Sequence, residues 1–211
     1  MALAAWYLIQ GAGLGLAAAA QPGPFQAYVI SHTLDVGWRR ASPVSLAPLI
    51  TDGPIILLAL IVLRQIPGWF EPGLCLASGL FILYLAWQAF TRWREGEANV
   101  PARPAGIRSL GQAVMINLLN PNPYIYWSLV TGPILLDGWR NAPLHGIVFL
   151  LGFYGAMVSI LLVIIVFFGL ARQRGPRLRR LLLGLSAMTL AGFGAWQLYR
   201  GIACWPREVL T

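Results

Sequence analysis

The sequence predicts an all-α integral membrane protein with six transmembrane helices, arranged as two inverted three-helix repeats in which helices 1 and 4 are broken at Pro-x-Pro. Three observations lead to this fold class. Long apolar segments occupy most of the chain, matching proline motifs interrupt two of these segments, and short aromatic motifs of the first half recur in the same order in the second half.

Composition and segment length predict the six spans. The 211 residues are 58% hydrophobic and only 10% charged, whereas a soluble domain carries about 25% charged residues. A helix needs about 20 apolar residues to cross the hydrocarbon core of a bilayer. The predicted spans are 3–31, 43–64, 72–92, 109–136, 143–171 and 178–200. We therefore expect one transmembrane domain over 1–211, with a first repeat at 3–92, a cytoplasmic linker at 93–108 and a second repeat at 109–200.

The arginine distribution predicts the orientation. All fifteen basic residues are Arg, and eleven of them lie in the connections between spans 1 and 2, 3 and 4, and 5 and 6. Short cytoplasmic loops are enriched in basic residues, so these connections are expected inside and both termini outside. The net charge of +8 lies in these loops, which argues against nucleic acid as a partner. The basic run at 172–180 is expected to contact anionic lipid headgroups, although a role in topology alone is equally open.

Two proline motifs are predicted to break helices 1 and 4. Gln21-Pro22-Gly23-Pro24 and Asn120-Pro121-Asn122-Pro123 lie 99 residues apart, and an aromatic residue follows each. Proline removes a backbone donor and clashes with the preceding helical turn. Broken backbone at membrane depth is tolerated only where it is buried in protein or lines a cavity. Matching breaks in two halves of a membrane chain indicate a binding site near the midplane.

Two further motif pairs extend the repeat. Gly37-Trp38-Arg39 recurs as Gly138-Trp139-Arg140, 101 residues later, and Ala86-Trp87-Gln88 recurs as Ala195-Trp196-Gln197, 109 residues later. Three matches in one order indicate two homologous halves. Because each half holds an odd number of spans, the second half enters the membrane the opposite way up. Chance recurrence of prolines and aromatic residues is the alternative.

Asp52 is the acidic residue placed well inside a predicted span, about nine residues into helix 2. A charge at this depth is costly, so the carboxyl group should face the bundle interior or water. Its partner is a proton, a cation or the ammonium group of a substrate; alternatively, Asp52 is permanently protonated and bonds a carbonyl group of a broken helix. Pro48 and Pro54 flank it, which predicts an irregular helix at this point.

The broken helices predict complementary binding groups. Each half-helix that starts at a motif presents a positive dipole end that suits a carboxylate, and each preceding half-helix ends in carbonyl groups that suit an ammonium group or a cation. Amide side chains can bind both, or they can repair the broken helices instead. The candidate substrate-binding or coupling residues are Asp52, Gln21, Pro22, Gly23, Pro24, Gln26, Asn117, Asn120, Pro121, Asn122, Pro123 and Tyr126.

These motifs resemble those of the lysine exporter (LysE/RhtB) family of amino-acid efflux transporters. The resemblance covers almost the whole chain and rests on the Gln-Pro-Gly-Pro motif at 21–24, Gly37 before basic residues, Asp52-Gly53, and Asn117 with Asn120-Pro121. It implies efflux of amino acids or similar small solutes from the bacterial cytoplasm, coupled to an ion gradient. The positions that match the family's motif are Pro22, Gly23, Pro24, Asp52, Asn120 and Pro121.

We therefore expect a secondary-active, proton-coupled exporter of amino acids or similar zwitterions in the bacterial inner membrane, working by alternating access. Sodium is the second candidate for the coupling ion, and a homodimer is left open. The alternatives are a divalent-cation exporter of the same superfamily and a membrane subunit with no transport of its own. The sequence carries no nucleotide-binding loop, zinc-ligand spacing or nucleophile constellation. Hence we expect neither an enzyme nor a cofactor.

Overall fold

The computed structural model describes residues 2–62, 70–95 and 107–204, and all regular structure in these ranges is helical. The α-helices are α1 (Ala2–Ala20), α2 (Pro24–Val36), α3 (Trp38–Ala41), α4 (Ala47–Val62), α5 (Phe70–Glu95), α6 (Ile107–Leu119), α7 (Pro121–Tyr126), α8 (Gly132–Asn141), α9 (Pro143–Gln173) and α10 (Pro176–Ala203). A 3₁₀-helix at Ser42–Leu46 precedes α4, and a π-helix at Trp127–Thr131 joins α7 to α8. Most of the predicted linker at 93–108 lies outside the described residues.

Five helical stretches of the described chain are long and apolar enough to cross a membrane. They are Ala2–Ala20, Trp38–Ala59, Pro72–Thr91, Pro143–Gln173 and Arg180–Ala203. The predicted fourth span, 109–136, is divided among α6, α7, the π-helix and α8, each of which is shorter than 18 residues. The helical membrane architecture thus agrees with the sequence, while the number of six spans stays a prediction.

Glycines bring α1 and α9 into backbone contact. A Cβ atom added at Gly11 would lie 2.1 Å from the Phe149 carbonyl oxygen, and one added at Gly15 would lie 2.1 Å from the Phe153 carbonyl oxygen. The four-residue spacing places both glycines on one face of α1, and small residues of this kind allow membrane helices to approach closely. The contacts advance along both helices together, so α1 and α9 run parallel.

The other long pair, α5 and α10, packs in the same way but with opposite direction. Added Cβ atoms at Gly79, Gly194 and Gly201 would lie within 2.9 Å of side-chain atoms of Leu198, Leu83 and Leu76, respectively. The contacts advance along α5 while they retreat along α10, so the two helices are antiparallel. The short helix α2 contacts both pairs, packing on α9 and on α10.

The repeated Gly-Trp-Arg motif has a different structure in each half. Gly37 has φ +86°, a left-handed conformation that favours glycine, and it separates α2 from α3 while its N–H bonds the Thr33 carbonyl. Trp38 then packs against Gly169 of α9. The second copy starts at Gly138, which lies within α8 instead of at a turn. The sequence match therefore does not extend to the same local fold at these two places.

The prediction that the helix around Asp52 is irregular is wrong. α4 continues through Asp52 from Ala47 to Val62, with Pro54 inside it. Pro48 lies in the first turn, where the missing N–H would have had no helical partner. The irregular winding lies upstream, in the 3₁₀-helix Ser42–Leu46.

Candidate functional site

The two proline motifs face each other across one cavity. α1 ends at Ala20 and α2 begins at Pro24, while α6 ends at Leu119 and α7 begins at Pro121. Residues of both connections line a partly open cavity of about 70 Å³. Its lining consists of Ala18, Gln21, Pro22, Gly23, Phe25, Gln26, Asn117, Asn120, Asn122, Pro123 and Tyr126. Polar groups at helix ends therefore converge on a space between the two halves of the chain.

At both interruptions, a side chain of the second half-helix donates a hydrogen bond to a carbonyl oxygen near the end of the first. The Gln26 side-chain amide donates to the carbonyl oxygens of Ala18 (3.4 Å) and Ala19 (3.3 Å) near the end of α1. The Tyr124 hydroxyl donates to the Leu118 carbonyl oxygen near the end of α6 at 2.8 Å. Ala19 and Leu118 are 99 residues apart, which is the spacing of the proline motifs. Each second half-helix thus returns a donor to the carbonyl groups that the break exposed.

Two more of the candidate residues also bond the backbone. The Asn120 side-chain oxygen accepts from the Asn122 N–H at 3.1 Å and caps the start of α7. The Tyr126 hydroxyl donates to the Leu14 carbonyl oxygen of α1 at 3.0 Å. The Gln26 and Asn120 side chains therefore satisfy backbone groups at the helix interruptions, whereas Tyr126 joins α7 to the interior of α1. Gln21 and Asn122 are the lining amides whose side chains make no hydrogen bond within the described residues.

Asp52 is buried, with 2% of its surface exposed, and it is surrounded by neutral donors. Its Oδ2 accepts from the Trp127 indole nitrogen at 3.2 Å and from the Tyr154 hydroxyl at 3.3 Å. Its Oδ1 accepts from the Thr51 hydroxyl at 3.3 Å, with the Asn117 amide nitrogen 3.5 Å away. Three different elements besides α4 supply these donors: α6, the π-helix and α9.

The environment of Asp52 has two opposing effects on its protonation state. Burial in an apolar bundle disfavours the charged carboxylate, whereas hydrogen bonds to its oxygens favour it. No charged side chain among the described residues acts on Asp52. A carboxyl group that is held by donors and lacks a fixed cation is suited to gaining and losing a proton.

Asn117 connects this acid to the cavity. Its side chain lines the cavity and is buried, and its amide nitrogen donates to the Thr51 hydroxyl oxygen at 2.6 Å. Thr51 in turn contacts Asp52. Asp52 itself does not line the cavity. The acid and the cavity are thus adjacent but separated by one layer of polar side chains.

Nine of the twelve candidate residues line the cavity, and the exceptions are Pro24, Pro121 and Asp52. The sequence reasoning did not find Thr51, Trp127 or Tyr154, which hold Asp52, or Ala18 and Phe25 in the lining. Thr51 could have been suspected because it precedes the buried acid. Nothing in the sequence distinguishes Trp127 and Tyr154 from the other aromatic residues, since their role depends on how the helices pack.

The fold and the cavity define a class of protein. A multi-pass helical membrane protein with interrupted helices around a polar cavity is the architecture of secondary transporters. The chain belongs to the LysE type translocator family, whose model matches residues 16–201. This match confirms the resemblance noted from the sequence motifs. No curated protein and no solved structure shows a significant match to the chain. Family membership indicates a membrane exporter of small solutes, since the family consists of transporters and not of enzymes.

Proposed function

We propose that this protein exports amino acids or similar small zwitterions across the bacterial inner membrane in exchange for protons, with both termini outside. The observation that carries this proposal is the cavity between the two proline motifs, with a buried acid one layer behind it. Sodium remains the second candidate for the coupling ion.

The lining of the cavity supports a solute without net charge. None of the described residues that line it carries a charge, and their polar groups are amides and a hydroxyl, which both donate and accept hydrogen bonds. The first N–H groups of α2, which begins at Pro24 beside the cavity, suit a carboxylate. Amide oxygens suit an ammonium group. A cationic or anionic solute would lose its hydration shell here without gaining an opposite charge.

Asp52 is proposed to carry the proton and not to bind the ammonium group directly. Its carboxyl oxygens face Trp127, Tyr154 and Thr51, and it does not line the cavity. An acid in this position can change protonation state while the solute occupies a separate space. For inward proton movement to drive export of a zwitterion, binding of the proton to Asp52 must disfavour binding of the zwitterion in the cavity, and the reverse must also hold.

Contacts at both ends of the interrupted helices support alternating access. The Tyr7 hydroxyl of α1 donates to the Asp137 carboxylate of α8 at 2.7 Å. The Tyr28 hydroxyl of α2 lies 3.0 Å from Gln112 Oε1 and 3.1 Å from the Ser109 carbonyl oxygen of α6. Each contact joins a half-helix of one repeat to a half-helix of the other. Opening one contact at a time would expose the cavity to one side at a time.

Nothing favours the two alternatives. A divalent cation would find only neutral oxygen donors in the lining, whereas such ions bind carboxylates or clustered soft ligands. Within the described ranges, no group of three or more His, Cys, Asp or Glu residues lies together. A scaffold without transport would have no use for a polar cavity between interrupted helices.

The proposal is tested by transport in proteoliposomes that contain the wild type or Asp52→Asn. The readouts are proton-driven net transport of a mixture of glycine, alanine, serine and threonine, and exchange of the same solutes without a proton gradient. We expect Asp52→Asn to abolish net transport while it retains exchange, because exchange needs the cavity but not the proton. Gly53→Ala is the control, since an added Cβ there contacts no atom within 4 Å. Proton-driven net transport at the wild-type rate by Asp52→Asn would refute the role of Asp52.

A further inference from the structure

We propose that the Thr51 hydroxyl is a positioning group that lets the cavity sense the proton on Asp52 through Asn117. This inference rests on the proposed function and deepens it, because it states how two separate ligands exclude each other. Direct competition does not fit the geometry, since Asp52 does not line the cavity. The Asn117 amide nitrogen lies 3.5 Å from Asp52 Oδ1, at the outer limit of a hydrogen bond, so the stronger polar route runs from Asp52 through Thr51 to Asn117.

Thr51 has the hydrogen-bonding geometry of a switch. Its hydroxyl oxygen receives a hydrogen bond from the Asn117 amide at 2.6 Å. Its single proton has three acceptors in reach: Asp52 Oδ1 at 3.3 Å, the Ala47 carbonyl oxygen at 3.2 Å and the Pro48 carbonyl oxygen at 3.3 Å. A hydroxyl group donates once and rotates to suit its surroundings. The side chain is 1% exposed, so water does not replace these partners.

Each oxygen of Asp52 faces one group that can only donate and one hydroxyl group that can reverse the direction of its hydrogen bond. At Oδ2 these are the Trp127 indole and the Tyr154 hydroxyl, and at Oδ1 they are the Asn117 amide and the Thr51 hydroxyl. The Thr51 hydroxyl also bonds Asn117, which lines the cavity, so proton uptake at Oδ1 is the event that we expect the cavity to sense. The protonated carboxyl group then donates to Thr51, and the Thr51 proton turns to the carbonyl group of Ala47 or Pro48.

This reversal changes what Asn117 offers to the cavity. When Asp52 is ionised, Thr51 donates to a carboxylate, which strengthens its own capacity to accept from the Asn117 amide, because linked hydrogen bonds polarise one another. The polarised amide group then has a more negative Asn117 Oδ1. This Asn117 oxygen accepts no hydrogen bond from the described residues. When Asp52 is protonated, the chain reverses and the polarisation is lost. The ammonium group of a zwitterion is therefore bound more tightly when Asp52 is ionised.

The direction of this effect of Asp52 protonation on solute affinity agrees with exchange of a solute for a proton. Solute affinity falls when Asp52 takes up a proton, so proton binding favours release and solute binding favours deprotonation. Tyr154 of α9 is the titratable side chain that faces Asp52. The titratable side chains on the other elements packed against α4 make no hydrogen bond or ion pair with Asp52 in the described chain; they are Arg108, Tyr124, Tyr126, Asp137 and Arg140.

The test measures the pH dependence of solute affinity in Thr51→Val and Thr51→Ser. Thermal stabilisation by the mixture of glycine, alanine, serine and threonine is titrated at acidic and at neutral pH, because ligands that bind the native state raise its stability. We expect the affinity of the wild type to fall about tenfold on acidification, a typical coupling between two sites. Thr51→Val should show the same affinity at both pH values, and Thr51→Ser should restore the pH dependence.

Thr189→Val is the matched control, since Thr189 is exposed on α10 and its hydroxyl donates to the Leu185 carbonyl oxygen of its own helix. It should keep the pH dependence of the wild type, and Thr51→Ala provides the same test if valine is not accommodated. A wild-type pH dependence in both Thr51→Val and Thr51→Ala would overturn the role of Thr51 while the proposed exporter stands. If the amino-acid mixture does not stabilise the wild type at either pH, the proposed function is overturned, and the role of Thr51 is overturned with it.

Discussion

Replacing the glycines at the contact between α1 and α9 should separate the two helices and destabilise the fold. An alanine methyl group at Gly11 or Gly15 would lie 2.1 Å from a backbone carbonyl oxygen of α9, whereas ordinary contact begins at 3.4 Å. The helices would have to move apart by about 1.3 Å, and overpacking of this kind costs about 1–3 kcal/mol. We expect the upper part of this range, because rigid backbone stands on both sides.

Gly13 provides the matched control within the same helix. An added Cβ atom there has no neighbour within 4 Å. Gly13→Ala should therefore be neutral or slightly stabilising, since alanine is the better helix former. The assay is equilibrium unfolding in mixed micelles, with the helix content read by circular dichroism. If Gly11→Ala and Gly15→Ala are as stable as Gly13→Ala, the close approach of α1 to α9 is wrong.

The displacement of α1 by these substitutions should also change the shape of the cavity. Gly15 lies close to Ala18 and Gln21, which line the cavity, so a displaced α1 changes its shape. We expect Gly15→Ala to lose solute-dependent stabilisation to a greater degree than Gly11→Ala, which lies a full turn farther away. Equal losses would indicate that the variants act through global stability alone.

Two further predictions concern the polar contacts of the interrupted helices. Gln26→Met and Tyr124→Phe each remove the donor that bridges one interruption, and each should cost about 0.5–1.5 kcal/mol in micelle unfolding, because a hydrogen bond to a part-buried carbonyl group is lost; a loss in only one of them would argue against equivalent halves. Tyr7→Phe keeps the ring that stacks on His145 but removes the hydroxyl between Asp137 and Asn141. It should destabilise the protein, because a hydrogen bond to a carboxylate is lost, and raise the rate of solute exchange; an unchanged exchange rate would exclude this contact as a barrier to opening.

The sequence could place candidate lining residues beside the two proline motifs because the signals there are local. Proline acts on its own helix, so the interruptions near Gln21 and Asn120 could be predicted from the motifs alone. Their expected role as cavity-lining segments follows from the cost of unpaired backbone in a membrane. Amide residues beside them could be proposed as lining groups for the same reason.

The surroundings of Asp52 could not be predicted, because they depend on packing between distant elements. Trp127 and Tyr154 reach the carboxyl group from the π-helix and α9, 75 and 102 residues away in sequence. Local rules also failed at two places. Pro54 lies inside a continuous α4, and Gly138 lies within α8 although its counterpart Gly37 forms a turn. In each case the surrounding helix packing outweighs the preference of a single residue.

The most direct measurement of the central claim is protection of the cavity by the solute. Asn122→Cys is prepared together with Cys204→Ser, since Cys204 is exposed and Cys75 is buried. Labelling by a small maleimide is followed with and without the mixture of glycine, alanine, serine and threonine. Gln173→Cys, at the exposed end of α9, is the control in the same background. If the cavity binds the exported solute, the mixture slows labelling at 122 and leaves labelling at 173 unchanged. Equal labelling rates at 122 with and without the mixture would contradict the claim.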